Sequence, residues 1–468
     1  MLFHPQHLTA QAGHLILSGD VHAKAPSCLH QDIFREFWHN FTFQASTLRL
    51  SECPDCTFVI GSAQPLPLND ADFSICIEPG GLCIHAETEQ NLLSGFLTLI
   101  DRFQAIDQDG GSAVQLDCCQ IWDKAVIRNR MVHFCVFPET ELWELQKFLR
   151  FCAALRYTHV VLEFWGMVQL DCMRELAWPH AFTRQQLRPI LQEASDSGLE
   201  IIPMWNHWGH ASSGRVMHGK HVVLDQNPTL QTYFSDDGWC WDIRKPKVRQ
   251  LLRRIRSELI ELCGSGHYFH IGCDEAYNFE FTQENMELVC DFINEISADL
   301  SAQNRRALVW GDMFLYRHAH YNTKNWYTCN APSPEAEQLM LARLSRDVIL
   351  ADWQYDAAHA PVETAAVFQQ AGFDCLLCPW DRGVGQMNAV RATVVEQSLM
   401  GMLHTTWHTL SSGMPYVAAA AVAGFEAREI HDMLPFLTQS AALLRKVMPV
   451  HGDYTKAGWS KVQVDTLW

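Results

Sequence analysis

From about residue 125 the chain alternates two patterns. Short, nearly continuous apolar runs are each followed by a longer stretch with apolar residues at helical spacing. The runs are 131–136 (MVHFCV), 159–164 (HVVLEF), 200–205 (EIIPMW), 268–273 (YFHIGC), 306–310 (RALVW), 347–353 (DVILADW), 373–378 (FDCLLC) and 402–407 (MLHTTW). The helical stretches between them include Glu139–Leu155, Thr183–Ser197, Lys245–Cys263, Thr282–Ala302 and Pro361–Ala371. Within the third, Leu251, Ile255 and Leu259 recur every fourth residue and read as core. Continuous apolar strands are buried on both faces, so the sheet is parallel and covered by helices. Eight such units predict a closed (β/α)8 barrel within the α/β class. A doubly wound sheet is the alternative. It loses ground because no GxGxxG follows the first strand and no Walker motif occurs.

Residues 1 to about 115 read differently. Short runs (LILSGDV, FTFQAS, TFVIGS, FSICIEPGG, LCIHAE) are punctuated by turn residues. One helix is expected from Thr88 to about Phe103, with Leu92, Phe96, Leu99, Ile100 and Phe103 on one face. The expected organisation is a small α+β domain over 1–120 and a barrel over 121–468. The stretch from His210 to Trp241, part of a long 206–243 loop, is too long for a plain connection and is expected at the active site.

Composition narrows the function class. Of 468 residues 48% are apolar, enough for a large core, and the net charge is −18. No basic run offers a footprint for nucleic acid or acidic lipid. No stretch is apolar for the ~18 residues of a membrane span, and no signal peptide is visible at the start. The 17 cysteines, an odd number, lie largely inside apolar runs and read as free thiols of a reducing, cytoplasmic setting. Two CxxC pairs, Cys53–Cys56 and Cys375–Cys378, would make a zinc site only if they met in space. No His pair sits at ligand spacing on a strand end, so neither metal nor cofactor is expected.

Barrel chemistry belongs at the C-terminal ends of the strands. Those ends carry Glu163, Asn206 and His210, Asp274 and Glu275, Trp310 and Asp312, Asp352, Trp353 and Tyr355, Trp380 and Asp381, and Trp407. One carboxylate there could cap a helix, and one tryptophan could close the barrel mouth. The pattern repeated around the ring is harder to assign to packing. Aromatic faces suit the C–H faces of sugar rings, and carboxylates suit hydroxyls. A glycosidase also needs a protonated carboxyl beside the leaving oxygen.

The segment HIGCDEAYN (270–278) resembles the HxGxDE motif of glycoside hydrolase family 20, the β-N-acetylhexosaminidases. Within it, the intracellular hexosaminidase D type also carries Cys in HIGCDE. Further similarity lies in NRMVH with Arg130, in LEFWG with Glu163, and in the segment ending WNHWGH with His210. LVWGDM, DWQYD and TTW resemble the later tryptophan and tyrosine segments, and residues 84–102 the small domain before the barrel.

The resemblance implies an exo-acting, retaining enzyme that uses the substrate's own 2-acetamido group as nucleophile. Glu275 would be the general acid and base, Asp274 would orient the acetamido N–H, and Tyr355 would bond its oxygen. Trp310, Trp353 and Trp407 would line the pocket. Arg130, Glu163, Asp312 and Asp381 would hold or support hydroxyl contacts, and His210 would support the carboxylate pair. The implied partner is a glycoside or glycoconjugate ending in N-acetylhexosamine, and the implied assembly a homodimer. Cys135 and Asn206 stand where the family pattern has Asp, and Cys273 where it usually has Gly. GlcNAc and GalNAc therefore both remain open, with a lean to GalNAc. Trp239 and Trp241 could touch the leaving group, although loop packing is the simpler role. Two other classes stand beside this reading: a non-catalytic barrel that binds N-acetyl sugars, and a two-carboxylate glycosidase using Asp312, Asp352 or Asp381.

Overall fold

The computed structural model describes residues 2–26, 30–42, 45–108, 111–212, 223–319, 321, 324–407, 410–426 and 428–448. The alternating pattern closes into a barrel of eight parallel strands. In chain order these barrel strands 1 to 8 are Asn129–Cys135, His159–Glu163, Glu200–Met204, Tyr268–His270, Arg306–Trp310, Ile349–Asp352, Asp374–Leu377 and Gly401–His404. Strand 8 returns to pair with strand 1, with His404 opposite Val132. All eight expected strands are present.

The pleat explains the runs. Inward residues such as Met131, Val161, Ile202, Leu308, Ile349 and Leu403 fill the barrel interior. Their outward neighbours Val132, Val160, Ile201, Val309 and Leu350 join the core beneath the helices. The helices Leu142–Ala154, Arg184–Asp196, Pro246–Cys263, Gln283–Ser301 and Glu363–Gln370 fall on the expected segments. Thr183 caps the second of these through Gln186 N in a reciprocal capping box, and Thr282 caps the fourth through Asn285 N. Leu251, Ile255 and Leu259 are buried.

Before the barrel lies a mixed sheet. Its strand order is His7–Leu17, Gly111–Asp123, Phe73–Glu78, Gly81–Ala86, Thr57–Gly61, Gly19–Pro26 and Ser46–Cys53, with Gln104–Gln108 also pairing Gly111–Asp123. Helices Gln31–Phe41 and Glu89–Ile100 cover it. Trp38 meets Phe58 of the sheet at 6.3 Å between ring centroids, and Phe34 meets Phe96 at 4.4 Å.

The first of these helices was not expected. Phe34, Phe37, Trp38 and Phe41 lie buried on one face at helical spacing. Of the run FTFQAS, Phe41 ends the helix and Ser46 begins the next strand, while residues 43–44 lie outside the described residues. Aromatic residues favour strands locally, and the helical period became visible only upstream of that run.

Side chains tie the sheet unit to the barrel. Arg156 stacks on Phe3 and Phe425, and Arg150 pairs with Glu36. All described cysteines are free thiols. The two CxxC pairs lie in different units, one at a sheet turn and one in barrel strand 7, so they do not form one site. No helix among the described residues is long and apolar enough to cross a membrane.

Candidate active site

Strand 4 is only three residues long, and its shortness builds the site. After His270 the backbone leaves the sheet through left-handed residues: Gly272 at φ 65°, Cys273 at 77° and Glu275 at 45°. Outside glycine, such conformations cluster at functional sites because the surroundings must enforce them. Two glycines make the fold-back possible. A Cβ on Gly209 would sit 1.9 Å from the Asp274 carbonyl, and one on Gly272 would sit 1.9 Å from Asn206 Oδ1. The peptide turn therefore presents Asp274 and Glu275 to one side, which a continuing strand would not do.

His210, itself at φ 53°, lies between the two carboxylates. Its Nε2 is 3.1 Å from Glu275 Oε2 and 3.4 Å from Asp274 Oδ2. Burial alone would lower the His210 pKa, but Asp274 and Glu275 together hold it up at about 9. Burial, with the nearby carboxylates of Asp312 and Glu275, pushes Asp274 well above the usual carboxylate range, against the pull of His210. Glu275 goes the other way. Burial opposes its charge, but hydrogen bonds from His210 and Tyr277 outweigh that and keep it below the usual value. Burial therefore disfavours the Asp274 carboxylate, while the hydrogen bonds from His210 and Tyr277 favour that of Glu275.

A frame holds this loop. Asp312 Oδ2 accepts from Glu275 N at 2.9 Å and from Asn330 Nδ2 at 2.7 Å, while Oδ1 accepts from Trp353 Nε1 at 3.1 Å. Burial lifts Asp312 to about 6 against those hydrogen bonds. With both oxygens occupied, Asp312 is a positioning residue. Trp239 Nε1 donates to the Glu275 carbonyl at 2.7 Å, and its ring lies 4.4 Å from His210 and 5.7 Å from Tyr277. Trp241 Nε1 donates to the Asn206 carbonyl and stacks on Phe234. Residues 213–222 of the expected active-site loop lie outside the described residues.

Aromatic residues form the other wall. Trp407 Nε1 donates to the Tyr355 hydroxyl at 2.6 Å, with Thr405 Oγ1 at 3.0 Å. Since the Tyr355 oxygen accepts from Trp407, its own proton is available to a ligand. Trp353 and Trp380 each lie 5.2 Å from the Tyr355 ring, and Trp310 lies 5.5 Å from Trp407. Trp310 is fully buried and its Nε1 has no partner among the described residues.

Glu163 ends strand 2 beside His133, Cys135 and Asn206 in the barrel mouth. Asp381 follows strand 7 and is partly buried. Arg130 needs correction. It is the second residue of strand 1, at the barrel's opposite end, where it donates to the carbonyls of Ile127 at 2.7 Å and Arg156 at 2.9 Å. A motif match carried it forward, but a residue starting a strand cannot face a site built at strand ends. Asp352 is also unavailable: fully buried, it accepts from Gln354 at 2.7 Å and Thr364 at 2.5 Å. The two-carboxylate alternative thus loses Asp312 and Asp352 as free nucleophiles. Sequence reasoning missed Tyr277, Asn330 and His133, whereas the packing role it preferred for Trp239 is the one found. Tyr277, two residues past Glu275, was the most findable.

Residues 162–379 match the glycosyl hydrolase family 20 catalytic domain. The chain is 20% identical over 326 residues to a lacto-N-biosidase of Bifidobacterium bifidum, covering 66% of this chain and 26% of that protein. It therefore spans about a quarter of that relative's length. It is 22% identical over 332 residues to hexosaminidase D of Bos taurus, covering 66% of this chain and 88% of that one. In fold it is similar to the exo β-N-acetylglucosaminidase of Vibrio harveyi solved with N-acetylglucosamine. The TM-score is 0.69 at 14% identity, over 95% of this chain and 77% of that one.

Proposed function

The barrel of this chain belongs to glycosyl hydrolase family 20, and on that premise we propose a retaining, exo-acting β-N-acetylhexosaminidase that works by substrate assistance. One observation carries the reading: the adjacent Asp274 and Glu275 carboxyls share one histidine, opposite a tyrosine hydroxyl with a proton to give.

The substrate's acetamido oxygen attacks the anomeric carbon as the glycosidic bond breaks, giving an oxazolinium ion. Tyr355 donates to that oxygen and orients it. Asp274 accepts the acetamido N–H. That hydrogen bond favours the Asp274 carboxylate, so binding shifts a proton held within the Asp274–His210–Glu275 cluster toward Glu275. Glu275 can then protonate the leaving oxygen as general acid, and later take a proton from the water that opens the oxazolinium ion. Asp274, now anionic, balances the positive charge developing on the acetamido nitrogen. The aromatic wall of Trp353, Trp380 and Trp407 packs the sugar and excludes water. Many free thiols support a reducing, cytoplasmic setting.

A thiazoline analogue of the oxazoline tests the scheme. It should inhibit competitively and bind far more tightly than the corresponding free sugar, as expected of a mimic of the bound intermediate. Binding no tighter than the free sugar would remove the substrate-assisted mechanism.

A further inference from the structure

The hydrolysis scheme leaves a second polar cluster in the barrel mouth unused. His133 and Cys135 are alternate residues of strand 1, so both side chains point inward. Glu163 closes strand 2 in direct register with Cys135. All three are at most 2% exposed.

Their donor atoms form a closed triangle. His133 Nε2 lies 3.0 Å from Glu163 Oε2, Cys135 Sγ lies 3.4 Å from the same oxygen, and the sulfur and nitrogen are 3.8 Å apart. Tetrahedral zinc has bonds of about 2.0 Å to nitrogen or oxygen and about 2.3 Å to sulfur. Its ligand atoms therefore stand roughly 3.3–3.6 Å apart, and each observed edge is within a few tenths of an ångström of that. Each contact alone has hydrogen-bond geometry, but the thiol and Nε2 carry one proton each, so hydrogen bonds satisfy only two of the three edges at once, whereas a coordinated ion accounts for all three.

Imidazole, thiolate and carboxylate suit a borderline-soft divalent ion, whose charge would cancel the two anionic ligands. Outer partners are in place for the carboxylate and the thiol, while His133 Nδ1 has none among the described residues. Asn206 Nδ2 donates to the other Glu163 oxygen at 2.5 Å, and Trp165 Nε1 donates to Cys135 Sγ at 3.3 Å. Such contacts orient ligands in metal sites.

We propose that His133, Cys135 and Glu163 bind a zinc-class divalent cation, its fourth position left to water or a substrate hydroxyl. The site borders the aromatic wall, since the His133 ring lies 4.6 Å from Trp407. This inference does not rest on the hydrolase reading and survives its failure.

The test uses the full chain, purified without a histidine tag or chelator. Elemental analysis after gel filtration should find about one equivalent of metal per chain. Cobalt(II) loaded into the stripped protein should give a near-ultraviolet thiolate charge-transfer band. Cys135→Ser should abolish the band, while Cys378→Ser, at a buried barrel thiol outside the cluster, should keep it. Cys135→Asp should retain metal without the band, with circular dichroism verifying its fold. X-ray absorption of the zinc-loaded wild type, which needs no variant, should show one sulfur and otherwise nitrogen or oxygen ligands. A folded wild type with no stoichiometric metal and no band would overturn the proposal. So would a sulfur-free coordination shell, or an undiminished band in Cys135→Ser.

Discussion

At the scale of single residues, the two carboxylates differ because their surroundings do. Glu275 receives hydrogen bonds from His210 and Tyr277; Asp274 is more deeply buried, and its Oδ1 has no partner among the described residues. Glu275→Gln should cut hydrolysis of substrates with poor leaving groups by about 10²–10⁴ and that of activated aryl glycosides far less, as leaving-group series would reveal. Equal losses would remove Glu275 as the acid. The site also makes stability pH-dependent. The folded pKa of His210, about 9, lies above its unfolded value of ~6.5. Its contribution is complete below ~6.5 and is lost as pH rises through about 9. Asp274, also raised, has the same sign. Melting temperature should therefore fall between those values, and His210→Asn should flatten that fall; an unchanged slope would show that the imidazolium is not held by the pair.

At the scale of elements, the decisive feature is where strand 4 stops. Gly209 gives the returning backbone room beside Asp274. Gly209→Ala should displace that loop, costing about 1–3 kcal/mol and reducing kcat more than tenfold; thermal melts and kinetics read the two effects separately. In the sheet unit, Trp38 joins Phe58, Phe96 and Phe103 and is fully buried. Trp38→Ala should cost about 3–5 kcal/mol in denaturant titration.

This scale also shows what sequence could reveal. Strand and helix placement in the barrel was legible because continuous apolar runs and 3.6-residue periods do not overlap there. The Gln31–Phe41 helix was hidden by aromatic residues with strand preference. Asp274, Glu275, His210 and Tyr355 were visible as a motif, and the structure brings them together. Arg130 was misplaced because a motif gives order along the chain, not which end of a strand a residue occupies. The His133–Cys135–Glu163 cluster escaped notice because a search for paired histidines passes over a His-x-Cys strand facing a neighbouring carboxylate.

At the scale of the whole molecule, a mixed sheet backs a barrel whose mouth concentrates aromatic rings and carboxylates. The net charge of −18 favours solubility and leaves recognition to the pocket. GlcNAc and GalNAc differ only at C4. The central claim concerns C2 instead. It is tested most directly by kcat/KM for matched aryl β-glycosides of GalNAc, GlcNAc and glucose. The account predicts turnover of one or both N-acetyl sugars and negligible turnover of the glucoside, since only the former carry the nucleophile. Comparable rates on the glucoside would contradict it.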